Sequence, residues 1–475
     1  MKRLLLLILA LAQVLLFCAC DTPTTDSTHL TGGAVGFRVG YGKENITPTG
    51  QVGMGGYGKS DQRLSLSVLD YLYVTCLAIT DADGHTILLY GMDLIGCAEA
   101  ITFREDVSKA TGVPVENIMM SASHTHSAPD YKVETSGRDE ALDALKKGLI
   151  QSAQTAMEDR KTAKMYGGSI KTKGMNFVRH YLMNDGTYCG DNFGSSASGY
   201  KEHATEADAQ LQLIKFTREG DKDIYLTNFQ THPHQTGGAN KRDLSADVVG
   251  AYRTCMEETL DCEVIYLSGA GGNINSHSRI VEEQATFSWR DWGKKLAAYA
   301  AEVEFTELAV GKVQSSSYEF TAQVNHTQDA YAELCNDLYT RWSKGEINTT
   351  QLKALGEQAG IVLHSPYHAG HIRNRAALPD SETFSIQVFS FGAVGVTAFP
   401  GEQFDTNGMF IKENSPFAMT IIATKANGEY GYFPSKFAFE VSGGYEVDAT
   451  RYLAGTAEKL ADQYVAMLTE QFNNQ

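Results

Sequence analysis

Val115–Pro129 reads VENIMMSASHTHSAP: an apolar run suited to a buried strand breaks into a polar loop that holds His124 and His126. Loops at strand ends carry function in α/β proteins, because the strand roots the loop while the loop itself stays free to vary. The same switch recurs three times. Asp223–Thr231 (DIYLTNFQT) runs into His232-Pro233-His234, Glu263–Gly269 (EVIYLSG) into a glycine-rich segment ending at His277, and Phe384–Pro400 (FSIQVFSFGAVGVTAFP) into Gly401-Glu402-Gln403. Around them, Tyr71–Thr80 and Thr86–Leu94 flank the turn signal DADG and predict a hairpin. Helical patterns cover Glu140–Met157 and Ala330–Trp342. Together these predict an α/β chain: mixed β-sheets with flanking helices, in a single large catalytic domain whose active site lies at strand-end loops. Residues 326–380 are more polar and helical and read as an insertion packed on the main sheet.

Composition narrows the function. The 475 residues include 40 Lys+Arg against 57 Asp+Glu, a net charge of -17, and no run of clustered basic residues. A phosphate-backbone binder needs such clusters, so nucleic acid is excluded as a partner. By length alone the chain would hold roughly three domains of about 150 residues. The need for motifs from both ends of the sequence in one site argues instead for one.

Residues 1–19 begin with Lys2 and Arg3 and continue with a short apolar run, the pattern of a secretory signal rather than of a spanning helix. The run ends in Phe17-Cys18-Ala19-Cys20, which resembles a bacterial lipobox, with Cys20 as the residue that is lipidated and becomes the new N-terminus. Residues 20–34, rich in Thr and Gly, read as a flexible tether, and 35–475 as the catalytic domain. The expected location is therefore the bacterial cell envelope, exported and lipid-anchored at the membrane surface, with several acyl chains giving a stable hold. Export also permits disulfides. Cys255 and Cys262 are spaced to bridge, although small buried thiols account for them equally well.

The chemistry rests on the loops. Two histidines at i and i+2 point to opposite faces of an extended chain, so His124 and His126 share a metal only if the chain bends. One ligand and one catalytic neighbour is the simpler reading. Pro233 holds His232 towards an extended conformation, with His234 as its competitor. Asp243 and Asp247 precede a helical segment that they would cap, or would orient an imidazole. The glycines at 269, 271 and 272 let backbone approach a ligand, but their spacing matches neither a phosphate loop nor a dinucleotide site. His364, His368 and His371 would share a helical face, but Pro366 and Gly370 are expected to interrupt that helix and argue against a metal there. His124, His232 and Glu402 make an N,N,O set of the kind that holds catalytic zinc with room for water.

At these residues the sequence resembles the neutral/alkaline non-lysosomal ceramidases and their bacterial relatives. Gly40–Pro48 with Gly55-Gly56-Tyr57-Gly58 looks like the family's opening motif, and SASHTHSAP is similar to its SATHTHSGP. Asn176–Arg179, PGEQF and the tyrosines Tyr432 and Tyr445 resemble further motifs in the same order, from about residue 37 to 455. The resemblance implies that His124, His232, Glu402 and Tyr432 bind one Zn2+, with His126, Arg179 and Tyr445 lining the reaction centre. It implies a zinc-dependent amidohydrolase that cleaves the amide bond of an N-acyl substrate, of sphingolipid or ceramide type, by metal-activated water.

Two departures qualify the substrate. Gly272-Asn273-Ile274-Asn275 stands where ceramidases carry G-D-V-S, and Asn275 can hydrogen-bond but cannot attack as a serine would. The sequence also ends soon after Tyr445-Glu446, so the resemblance is to a bacterial ceramidase-like lipoprotein lacking the C-terminal immunoglobulin-like domain. Two alternatives follow: a zinc hydrolase of a different amide or ester, or a non-catalytic metal-containing lipoprotein that binds a small-molecule or lipid ligand.

Overall fold

β1 (Arg38–Asn45) pairs antiparallel with β2 (Tyr73–Thr80), and β2 turns back into β3 (Thr86–Met92) as the hairpin pattern predicts. The turn is held by Asp81, whose Oδ1 accepts the N–H groups of Asp83 and His85. β4 (Ile118–Ala122) lies parallel to β3 at one edge of the sheet. Beyond β1 follow β5 (Lys161–Lys171), β6 (Gln210–Arg218), β7 (Ile224–Phe229) and β8 (Glu263–Ser268), the last parallel to β7. Among the described residues this sheet has nine strands, in the order β8-β7-β6-β5-β1-β2-β3-β4 with Thr306–Leu308 added along β5. The protein is seen here as a computed structural model that describes residues 36–97, 100–190, 199–238, 240–280 and 288–475. The predicted signal segment, the tether and Cys20 lie outside these residues.

A second sheet runs β9 (Val313–Gln323), β10 (Ser381–Phe391), β11 (Val394–Ala398), β12 (Met419–Ala423). The apolar run Phe384–Pro400 thus splits into two antiparallel strands, turning at Gly392, which takes a φ of +56°.

Side-chain alternation explains the layering. Along β2, Val74, Cys76 and Ala78 face one core while Leu77 and Ile79 face another. The first core lies under α1 (Ala100–Thr111) and α2 (Arg138–Glu158). The second is sandwiched between the sheets, where Val39, Leu77, Ile79 and Leu89 meet Phe389, Phe391, Val396 and Ile421. α3 (Asp247–Leu260) and α4 (Trp289–Ala301) cover the β7–β8 half of the large sheet. α2 approaches β1 so closely that a Cβ at Gly42 would stand 2.0 Å from the Ser152 carbonyl oxygen, so the contact requires glycine.

Between β9 and β10 sits the helical insertion, with α5 (Ala332–Ser343), α6 (Thr349–Gln358) and α7 (Pro366–Arg375) around a small apolar cluster of Cys335, Leu338, Leu352 and Ile372. The expected interruption of the third helix does not occur. Pro366 occupies the first helical turn, where its missing N–H has no intrahelical partner to lose, and the Ser365 hydroxyl caps the helix by accepting from the His368 N–H at 3.1 Å. α8 (Asp405–Asn414), the short α9 (Tyr445–Ala449) and α10 (Thr456–Asn473) follow the second sheet, and α8 and α10 cover its outer face. The result is a sandwich of two mixed sheets with helices on both outer faces, as expected. From Gly36 onward the described residues form one compact unit. Cys255 and Cys262 do not bridge; the six cysteines among the described residues are thiols. No helix among these residues is long and apolar enough to cross a membrane.

Candidate active site

Three of the four strand-to-loop switches, those bearing His124, His232 and Glu402, open into one cleft. The large sheet curls until its two edges are joined: Ser268 at the end of β8 donates to the Ser123 carbonyl at 3.1 Å, and the segment after β12 fills the gap. There Ala122 N–H donates to Lys425 O and Thr424 N–H to Ser268 O. The cleft has a volume of about 420 Å³ and is lined by His124, His126, Arg179, His232, His234, Glu402, Tyr432 and Tyr445, among others. All seven site residues implied by the resemblance are therefore neighbours, while the further catalytic candidate, Asn275, is placed elsewhere. Asn275 is not among the lining residues. It is buried in a two-residue strand pairing with Phe177, beside the Asn273 carbonyl that accepts the Arg179 N–H at 2.8 Å.

The bend that two histidines at i and i+2 require falls on His124 itself, whose φ is +68°. This left-handed conformation is costly for a residue with a Cβ, and such strain clusters at functional sites. It breaks the alternation of β4 and turns both rings into the cleft, with centroids 5.0 Å apart. The backbone is held on both sides: His124 N–H donates to Leu94 O, and His126 N–H to Pro233 O, each at 2.9 Å. The second of these bonds ties the two histidine loops together. Arg63 adds a bond from Nη2 to the His126 carbonyl. Asp247 meets the N-terminal end of its helix as expected of an acid there, its Oδ1 accepting the Val248 N–H at 2.7 Å, while its Oδ2 accepts from both N–H and Oγ1 of Thr236 at 2.6 Å, pinning the His232–Thr236 loop to the start of α3.

The ligand atoms of His124, His126 and His232 lie within 4.8 Å of one another. His124 Nδ1 is 2.7 Å from the Ile95 carbonyl, to which it donates, and its Nε2 faces Glu402 Oε2 at 3.2 Å. The Nε2 atoms of His126 and His232 stand 3.0 Å apart. Burial, reinforced by His124 and Arg179, pushes both of those imidazoles well below their ordinary pKa, so they are neutral. Burial would raise the Glu402 carboxyl, but His124 and Lys425 override it and hold it to about 2. Imidazole nitrogens and a carboxylate that converge on one point fit a divalent cation of the zinc type. The parallel pairing of Glu402 with Tyr432 delivers the tyrosine to the same place.

Arg179 faces this group from a buried position. Its Nε lies 2.6 Å from Glu446 Oε1 in a buried ion pair, and its Nη2 donates to Gly272 O at 2.7 Å and to Tyr432 Oη at 3.4 Å. The other Glu446 oxygen meets His180 Nε2 at 2.7 Å.

Sequence reading missed the cations and acids of the cleft mouth. Lys425 Nζ lies 3.1 Å from Glu429 and 3.7 Å from Glu402, and Lys132 Nζ lies 2.5 Å from the other Glu429 oxygen. A signal for Lys425 existed: it follows the apolar β12 as the four named loops follow their strands. Glu446 stood beside Tyr445 but carried no sign of its partner, 267 positions away.

The two-sheet sandwich thus gathers, at its strand ends, a cleft whose histidines could hold a metal ion. Residues 37–283 match the neutral/alkaline non-lysosomal ceramidase family, N-terminal part. The protein belongs to that family, whose members are hydrolases of amide bonds. Two solved structures share the fold. One is a ceramidase complexed with C2, at 18% identity and a TM-score of 0.70, over 92% of this chain and 75% of that one. The other is the neutral ceramidase from Pseudomonas aeruginosa, at 19% identity and a TM-score of 0.66, over 91% and 75%. No curated protein matches the chain.

Proposed function

We propose that the protein is a zinc-dependent amidase acting on a ceramide-type N-acyl lipid, with His124, His232, Glu402 and Tyr432 holding the ion. The observation that carries this reading is the convergence of the His124 and His232 imidazole nitrogens and one carboxylate oxygen from three separate loops onto one point facing Arg179. Bound zinc would polarise the scissile carbonyl and lower the pKa of water from about 15.7 to about 7.

The remaining chemistry belongs to the side chains. Arg179, locked by Glu446 and Gly272 O, presents a fixed positive charge where the carbonyl oxygen becomes negative, a contribution of about 3 kcal/mol per donor in comparable sites. Tyr445, held to a pKa of about 12 by burial and the Glu402 charge, stays a neutral phenol that can donate at the same place. His126, neutral and beside the ion-binding nitrogens, can take a proton from water and return it to the leaving amine. Asn275 supplies no nucleophile and is not among the residues lining the cleft, so this route uses water rather than a serine ester. The acids and cations at the mouth, Asp130, Lys132, Lys425 and Glu429, favour as a second reading a polar amide or ester with a short acyl part.

Metal analysis and turnover test this together. The purified protein is expected to carry zinc and to hydrolyse fluorogenic ceramide-type amides. His124→Ala should lose both, whereas His126→Ala should keep the ion and lose turnover by about 10²-fold or more. Absence of zinc in the parent would sink the reading, and preference for short polar amides would select the second one. The envelope location and the lipid anchor at Cys20 are proposed from the sequence. Cys20→Ser should move the protein from the membrane fraction to the soluble fraction.

A further inference from the structure

A second group of metal-binding side chains lies where the helical insertion meets α9. His364 Nδ1 is 2.9 and 3.0 Å from the two Asp448 oxygens, and His368 Nδ1 is 3.5 Å from Oδ1 of the same carboxylate. The two rings stack with centroids 5.0 Å apart and planes 23° apart. The three ligand atoms lie within 4.8 Å of one another.

A hydrogen bond from His364 accounts for one half of this arrangement. It does not account for the other. His368 Nδ1 stands 3.5 Å from Asp448 Oδ1, too far for a good hydrogen bond, and the His364 backbone N–H, 3.4 Å away, is only a long and weak partner for its lone pair. An ion set between the two imidazoles and the buried carboxylate would take up that lone pair and balance the anion. Asp448 and His368 are buried while the side chain of His364 is 53% exposed, which leaves an open side for entry and for water ligands.

We propose that His364, His368 and Asp448 form a second metal site, separate from the His124 cluster, that clamps the insertion to the helix bearing Tyr445 and Glu446. Two imidazoles and one carboxylate favour zinc, cobalt or nickel over calcium or magnesium, which prefer all-oxygen sets. The site sits behind one wall of the cleft. Tyr367 on α7 and Tyr445 on α9 both line the cleft, and the His371 ring is 5.8 Å from that of Tyr445. A bound ion would hold these two elements in register.

The test is a metal count on the full chain, stripped with chelator, reloaded with Zn2+ or Co2+ and freed of excess ion. The parent should retain two equivalents, and His124→Ala and His364→Ala one each. Since His364 is half exposed, its substitution leaves the fold intact, which circular dichroism checks; Asp448→Asn serves as a second variant. Reloading should raise the melting temperature of His124→Ala but not of a His124→Ala/His364→Ala double variant. One equivalent in the parent that is lost in His124→Ala, or two equivalents still held by His364→Ala and Asp448→Asn, overturns the proposal. One equivalent that is lost in His364→Ala and kept in His124→Ala supports it and overturns the zinc reading of the main cleft.

Discussion

Single side chains set the electrostatics of the cleft, and Glu446 shows how. Burial would raise its carboxyl, but Arg179 and His180 beside it hold the pKa to about 2. An unfolded glutamate titrates near about 4.3. The folded value is the lower, so the group's stabilisation is fully present above about pH 4.5 and is lost as pH falls towards 2, a difference of roughly 3 kcal/mol. Glu446→Gln removes the partner of a buried guanidinium and should destabilise the protein at pH 7 by ~3–5 kcal/mol. Its urea midpoint should also vary less with pH between about 4.5 and 2 than that of the parent. Because Arg179 would lose its orientation, kcat should fall more than KM rises, which a purely structural role would not produce. An unchanged acid profile would show that Glu446 does not carry the charge of the Arg179 pair.

At the scale of elements, function depends on loops held against one another rather than on any one loop. The Gly55–Gly58 segment packs on the histidine turn, with the Tyr57 ring edge-on to His126 at 4.9 Å. Gly56 has a φ of +101°, and a Cβ there would stand 2.5 Å from the His126 ring. Gly56→Ala should therefore push His126 out of place while removing no side chain from the cleft. Backbone strain alone should cost roughly 1–2 kcal/mol, read from a urea titration. A displacement of about 1 Å in a catalytic group can cost ~10²-fold in rate. Zinc content should stay at the parental level; a loss of ion would instead make His126 a ligand.

For the whole molecule, the residues proposed to hold the ion come from the ends of β4, β7 and β11 and from the segment after β12, so ion binding would couple to folding of the entire sandwich. An ion that binds the folded chain alone stabilises it by about 2.7 kcal/mol at a free concentration of 100 times Kd. Chelation should lower the melting temperature in a single cooperative transition, and the shift should shrink in His124→Ala. Two separate transitions would show that the two sheets unfold independently.

Much of this was legible in the chain itself. Alternation of apolar residues with period two, interrupted by polar loops, is a local property, and it marked the hairpin, the buried strands and three of the loops that meet in the cleft. Motif order added the family and the candidate residues His124, His126, Arg179, His232, Glu402, Tyr432 and Tyr445. What only the tertiary structure decided depends on contacts between distant segments. The left-handed turn at His124 is over-determined by bonds to Leu94 and Pro233. Lys425 and Glu446 acquire meaning from Glu402 and Arg179. Asn275 carries a family position yet is not among the cleft-lining residues. Pro366 starts a helix instead of breaking one because Ser365 caps it. In each case the local pattern permits several conformations, and the long-range packing selects one.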